Sequence, residues 1–205
     1  MATPKPNAAP LTLAELIAQA TGTSVLHCYQ CGRCAAGCPQ NQPGAMEISP
    51  TRVMRLLQLE AAFVDDPARA DGFARRALQS PTPWLCLGCQ ACTTRCPQGV
   101  DIAGAMDVLR GQALQRGLAA KDRRSGDIRT FHQQFLAKAL RRGRIEELPL
   151  ILRYKLARGH WRQDAALGPA MLRRGKLKLK NSHSADTRQV LKAIDDLRRS
   201  PRGGP

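Results

Sequence analysis

Cys28-Tyr29-Gln30-Cys31-Gly32-Arg33-Cys34-Ala35-Ala36-Gly37-Cys38-Pro39 recurs as Cys86-Leu87-Gly88-Cys89-Gln90-Ala91-Cys92-Thr93-Thr94-Arg95-Cys96-Pro97. Both stretches carry the spacing Cys-x2-Cys-x2-Cys-x3-Cys-Pro, and together they use all eight cysteines of the chain. This is the spacing of a bacterial-type [4Fe-4S] run, in which three closely spaced thiolates grip one cube and the fourth ligates the other cluster. Two-residue spacers let successive sulfurs converge on one small object, whereas the longer spacer and the proline direct the fourth cysteine away from it. The expected ligand sets are therefore Cys28, Cys31, Cys34 and Cys96 for one [4Fe-4S] cluster, and Cys86, Cys89, Cys92 and Cys38 for the other. Zinc is the competing occupant, since cysteine pairs two residues apart also build four-cysteine zinc sites. Zinc sites draw their ligands in pairs, however, and each run here supplies three sulfurs within seven residues plus a proline-flanked fourth. Gly32 and Gly88 lie inside the runs, where a missing side chain lets backbone N–H groups approach sulfur; simple turn residues are the plainer reading.

The sequence around the runs reads as helix. Leu and Ala dominate the apolar residues and aromatics make up only 4% of the chain, which favours an all-α fold. Thr12 and Glu15 form a capping box ahead of Leu13, Leu16, Ile17 and Ala20, with Gly22 as the stop. Ser49 and Pro50 take the N-cap and N1 positions of a helix with Val53, Met54, Leu56 and Leu57 inward, interrupted at Asp65, Asp66 and Pro67. A further helix over about 68–78 leads to Pro81 and Pro83. Asp101 caps a helix that places Ile102, Met106, Leu109 and Ala113 on one face. Asp127 is expected to begin another, with Ile128, Phe131, Phe135 and Ala139 buried and Gly143 closing it. Residues 148–157 form a short apolar segment, 159–184 an extended basic arm, and about 186–199 a last helix burying Val190, Ile194 and Leu197. About 47 helical-looking residues separate Cys38 from Cys86, so the clusters belong in a helical domain rather than a small β-rich ferredoxin. The expected organisation is a flexible N-terminus at 1–10, an α-helical ferredoxin-like dicluster domain at 11–158, and a basic C-terminal extension at 159–205 with one helix and a disordered tail.

Composition narrows the function. No apolar run approaches the roughly 20 residues of a membrane-spanning helix, and the first ten residues lack a secretory h-region, so a cytoplasmic protein with metal-bound thiolates is expected. Residues 121–205 hold 22 Lys and Arg against 8 Asp and Glu, a surplus of +14 within a chain total of +16. An acidic protein surface is the expected partner of this part. Nucleic acid is the competing reading, but Trp161 is the sole aromatic of the basic arm and no nucleic-acid motif is present. With every cysteine committed as a ligand, none remains as a nucleophile, so the chain is expected to carry no catalytic residue of its own. His27, His132, His160 and His183 are scattered; His27 could hydrogen-bond near the first cluster, but an ordinary surface or core role is the favoured reading. No phosphate-cradling glycine loop is present, which puts any flavin or nicotinamide on another polypeptide.

Residues 28–39, together with Trp84-Leu85-Cys86 and Cys96-Pro97-Gln98-Gly99-Val100-Asp101, closely resemble the C subunit of heterodisulfide reductase. The similarity runs from Leu11 to about Leu156 and does not extend to the basic end from Gly159 onward. The resemblance implies an α-helical ferredoxin fold as in the iron–sulfur subunits of succinate dehydrogenase and anaerobic glycerol-3-phosphate dehydrogenase. It also implies two partners, a cysteine-rich catalytic B subunit and a flavin-bearing A subunit, between which the chain would relay electrons as part of an oxidoreductase. In methanogens such an assembly reduces the mixed disulfide of coenzymes M and B, and similar bacterial complexes act in sulfur metabolism by oxidising sulfane sulfur. The Arg- and Ala-rich composition favours the bacterial version. A structural zinc protein that binds nucleic acid and a relay for another flavin-dependent dehydrogenase stand as the alternatives.

Overall fold

The capping box at Thr12 is formed. In the computed structural model, which describes residues 11–42, 46–142, 145–160, 165–175 and 187–199, helix α1 spans Leu13–Thr21. Thr12 Oγ1 accepts from the Glu15 amide, the Glu15 carboxylate accepts from Thr12 N at 2.8 Å, and Gly22 ends the helix at φ 70°. A 3₁₀ turn at Val25–His27 leads into the first cysteine run, which contains the one-turn helix α2 (Arg33–Ala36). Between the runs lie α3 (Pro50–Ala62), α4 (Pro67–Leu78) and the short α5 (Thr82–Leu85). The second run contains α6 (Ala91–Thr94) and is followed by α7 (Ile102–Gln115), α8 (Arg123–Arg142) and α9 (Glu147–Arg158); α10 (Gly168–Arg173) and α11 (Thr187–Arg199) complete the order. Every regular element among the described residues is helical, as the all-α reading expects. No helix among them is long and apolar enough to cross a membrane.

Two compact units make up the chain, Met1–Gly126 and Asp127–Pro205, whereas the sequence divides it at 158/159. In the first unit α3 packs on α4, α1 packs on both α3 and α7, and α5 packs on α7. Leu13, Ile17, Met54, Leu57, Leu78, Met106 and Leu109 are buried at this junction with no more than 2% exposed. Each contributes about 1.5–3 kcal/mol relative to an exposed position. Leu56, expected inward, is only half-buried at the rim of α3. Glu60 is the exception in this core. At 5% exposure its Oε1 accepts from Leu13 N at 2.8 Å, tying α3 to the first turn of α1, while Oε2 is buried without a hydrogen bond. Burial pushes the Glu60 carboxyl above its ordinary range, against the opposing pull of the Leu13 N–H and the Arg116 charge.

The second unit corrects several expectations. Helix α8 begins at Arg123, one turn before Asp127, because Asp122 Oδ2 already accepts from Ser125 N at 3.0 Å in the manner of an N-cap. Phe131 and Phe135 are 38% and 39% exposed rather than buried. Periodicity finds the apolar face of a helix but not what covers it, and in this unit α9 covers it only in part, through an edge contact between Phe131 and Tyr154. Lys138 is the buried position, its ammonium 3.6 Å from the Glu146 carboxylate. Asp127 accepts from Arg158 Nε at 2.5 Å and lies 3.3 Å from His160 Nε2. Burial works to raise the Asp127 carboxyl, but Arg158 and His160 outweigh it and hold the group below its usual range. The basic arm is not wholly extended: a 3₁₀ turn at Ala165–Leu167 continues into α10, where Pro169 suits the first turn. The last helix starts at Thr187, and Val190 is 44% exposed instead of buried. Gly143, Trp161, His183, Lys176, Lys178, Lys180, the terminal segments 1–10 and 200–205, and the side chains of Ile194 and Leu197 lie outside the described residues.

Candidate metal centres

Each run folds the same way because each places two residues in the left-handed region. Gln30 and Gly32 have φ of 63° and 79°, and Gly88 and Gln90 at the matching positions have φ of 65° and 61°. The chain therefore reverses on either side of the second cysteine and brings three sulfurs of a run to one side. After the third cysteine, α2 and α6 carry the fourth away. These two helices pack against each other, and Arg95 lies over Gly37, the residue at its own position in the other run; any Cβ at Gly37 would collide with the Arg95 guanidinium.

This crossing sorts the cysteines. One cavity is lined by Cys28, Cys31 and Cys34 together with Cys96. The other is lined by Cys86, Cys89 and Cys92 together with Cys38. Ile102, 2% exposed, lines both cavities and forms their common wall. Each foursome stands around a space instead of closing on a point, and among the described residues no three His, Cys, Asp or Glu side chains are placed to hold a single ion. Four cysteines lining one cavity suit a [4Fe-4S] cube, with one thiol for each iron.

Solvent reaches both sets, at Cys31 in one and Cys89 in the other, while Cys34 is buried. Burial pushes the Cys28 and Cys92 thiols above their ordinary range, so ligation by iron must repay the cost of keeping thiolates there. Cys28 is held by a polar network. Gln58 on α3 donates to the Cys28 and Val25 carbonyls at 2.5 and 3.3 Å, and accepts from Gln30 Nε2 at 3.0 Å. Gln30 Nε2 also lies 3.4 Å from Cys28 Sγ, and Thr51 Oγ1 lies 3.2 Å from Cys34 Sγ. The second run is fixed to α7: Thr93 Oγ1 donates to Asp101 Oδ1 at 3.0 Å and accepts from Ala103 N, and Asp101 caps α7 at Gly104 N. Asn41 Nδ2 donates to the Ala35 carbonyl at 3.0 Å and pins the segment after Cys38. Of these residues the sequence reading singled out only Asp101, and only as a helix cap. Thr51, Gln58 and Thr93 give no local signal, whereas Gln30 was discoverable as the non-glycine residue at a position filled by Gly88 in the repeat. His27 is exposed, in keeping with an ordinary surface role.

The sequence profile of the 4Fe-4S dicluster domain matches residues 24–100. The iron–sulfur C subunit of CoB–CoM heterodisulfide reductase from Methanopyrus kandleri is 36% identical over 102 residues, 49% of this chain and 45% of that protein. The C subunit of the H2:CoB–CoM heterodisulfide,ferredoxin reductase of Methanothermobacter marburgensis is 30% identical over 106 residues, 52% of this chain and 50% of the relative. The C subunit of the ferredoxin:CoB–CoM heterodisulfide reductase of Methanosarcina mazei is 29% identical over 108 residues, 53% of this chain and 58% of the relative. The chain thus spans about half the length of the curated relatives it matches. Two [4Fe-4S] clusters are the cofactors of such a domain. Residues 24–100 thus match a 4Fe-4S dicluster domain, and over about half of its length the chain is similar to the C subunits of heterodisulfide reductases.

Proposed function

We propose that the chain relays single electrons through two [4Fe-4S] clusters inside a heterodisulfide-reductase-like complex, between a flavin-bearing A subunit and a cysteine-rich catalytic B subunit. The observation that carries this reading is the division of all eight cysteines between two four-cysteine cavities. Cys28, Cys31, Cys34 and Cys96 would hold one cluster, and Cys86, Cys89, Cys92 and Cys38 the other. When bound, each cluster supplies a one-electron carrier. The chain's own residues do the rest. The core of α1, α3 and α7 fixes the runs, Ile102 keeps the two cavities one side chain apart, and Cys31 and Cys89 present an edge of each site to a partner. No thiol is left over to attack a disulfide, which assigns the chemistry of the substrate to another polypeptide. A cytoplasmic complex that oxidises sulfane sulfur is the setting favoured by the Arg- and Ala-rich composition. Affinity purification of the full chain from its native source tests the reading: a flavoprotein and a cysteine-rich protein are expected to co-purify, and a chain recovered without either contradicts it.

The surplus of +14 after residue 120 is proposed to steer docking onto an acidic face of the catalytic partner. Phe131, Phe135 and Leu152, exposed at 38%, 39% and 60%, supply apolar contact once the partner has arrived. Exposed charges are screened within about 8 Å at physiological ionic strength, so the association rate should fall as salt rises. Replacing Arg173, Arg174, Lys176, Lys178 and Lys180 with Gln is expected to leave cluster content intact, lower the association rate several-fold at low salt and flatten its salt dependence. Stopped-flow or surface-binding kinetics with the co-purified partner read this out. An unchanged rate at both low and high salt, with lost affinity for nucleic acid, would instead favour the nucleic-acid alternative.

A further inference from the structure

The two runs share a backbone but differ in what their side chains offer to sulfur. In the first, Gln30 Nε2 donates to Cys28 Sγ at 3.4 Å, and the Thr51 hydroxyl lies 3.2 Å from Cys34 Sγ. A thiolate has no proton to give, so with iron bound Thr51 is the donor. In the second run the position of Gln30 is occupied by Gly88, which has no side chain to donate, and the position of Arg33 by Ala91. The Thr93 side chain hydrogen-bonds Cys92 and opposes the rise of its thiol, but it shares its one hydroxyl proton with the Asp101 carboxylate at 3.0 Å, a stronger acceptor than sulfur. Among the described residues, the first run thus has two side-chain donors to cysteine sulfur that no carboxylate competes for, whereas the second has one, Thr93, shared with a carboxylate. The linings differ in the same sense. Arg33, Thr51 and Gln98 line the first cavity; Gln40, Thr82 and Gln90 line the second together with Met46, Leu87, Ala91, Ala103 and Met106, so that among the described residues the first alone has a charged side chain in its lining.

Reduction adds one negative charge to a cluster. Hydrogen bonds to its sulfurs and nearby cations stabilise that charge, and an apolar surrounding penalises it. We infer that Gln30 and Thr51 raise the reduction potential of the cluster held by Cys28, Cys31 and Cys34, making it the more readily reduced of the two. This rests on the two-cluster reading above, but not on which run supplies each fourth ligand. Exposure of residues 87–90 works the other way, yet water reaches both sets, at Cys31 and at Cys89, while the side-chain sulfur donors free of a competing carboxylate lie in the first run. Arg33 is itself exposed, so its charge is screened and the half-buried Gln30 and Thr51 carry most of the effect. An electron passing between the cavities then leaves the second cluster, oxidising it by one, and reduces the first by one, with no other reactant.

Potentiometric titration of the full holoprotein, followed by electron paramagnetic resonance, tests the inference. Cys31→Ser alters a ligand of the first run whatever the fourth ligand is, and so identifies which signal belongs to it. Gln30→Gly installs the residue the second run uses at the same left-handed position, and Thr51→Val removes only the hydroxyl. Together they are expected to lower the reduction equilibrium constant of the first-run cluster about tenfold, a shift of about 59 mV for one electron. The second-run midpoint should stay in place, and Thr51→Ser should keep the parental value. A first-run midpoint unmoved at full iron and sulfide content, or equal shifts in both, would overturn the tuning role. Parental protein without two one-electron signals would overturn the two-cluster reading itself, and the inference with it.

Discussion

Cys96→Ser is expected to abolish or grossly alter the cluster built on Cys28, Cys31 and Cys34 while sparing the one built on Cys86, Cys89 and Cys92, and Cys38→Ser to do the reverse. Each fourth cysteine lines the cavity of the distant run, not of its own. The cause is local: after three sulfurs have converged, one helical turn and a proline carry the chain across to the neighbouring site, where α2 meets α6 and Gly37 makes room for Arg95. Iron content should fall by up to half in either variant, with the surviving resonance differing between the two. Loss confined to each cysteine's own run would refute the exchange.

Leu57→Ala should destabilise the first unit by about 2–5 kcal/mol, since it deletes a fully buried side chain where α3 meets α4 and α1. A thermal midpoint lower by about 10 °C is the corresponding readout for the holoprotein. Val64→Ala, at a position 57% exposed, is the control and should cost about 0.5 kcal/mol or less. Because the cysteine runs hang on this core, Leu57→Ala should also speed the loss of clusters on warming. Equal midpoints for the two variants would show that α3 does not anchor the unit.

The legible parts of this molecule were those with short-range chemistry. Thr12 with Glu15, Ser49 with Pro50, and Asp101 each satisfy backbone groups within three residues, so their helices are readable without knowledge of the rest. The repeated cysteine spacing is likewise local, and it suffices to propose the ligand sets. One-turn helices such as α5, Thr82–Leu85, escaped notice because Pro81 and Pro83 read as breakers, although a proline in the first turn is compatible with helix. Burial of Trp84 and Thr82 there depends on packing against α7 and on a hydrogen bond from Thr82 to the Ile48 carbonyl, 34 residues away. In the second unit, periodicity correctly marked an amphipathic helix at Phe131 and Phe135 but could not reveal that its apolar face stays largely uncovered. Thr51 and Gln58 reach the first run from α3, a relation that only the folded chain creates.

Whether the eight cysteines hold two [4Fe-4S] clusters is decided by measuring iron, zinc and acid-labile sulfide in anaerobically purified protein. A brown protein with about eight irons and eight sulfides per chain is the predicted result. Stoichiometric zinc without labile sulfide would contradict it.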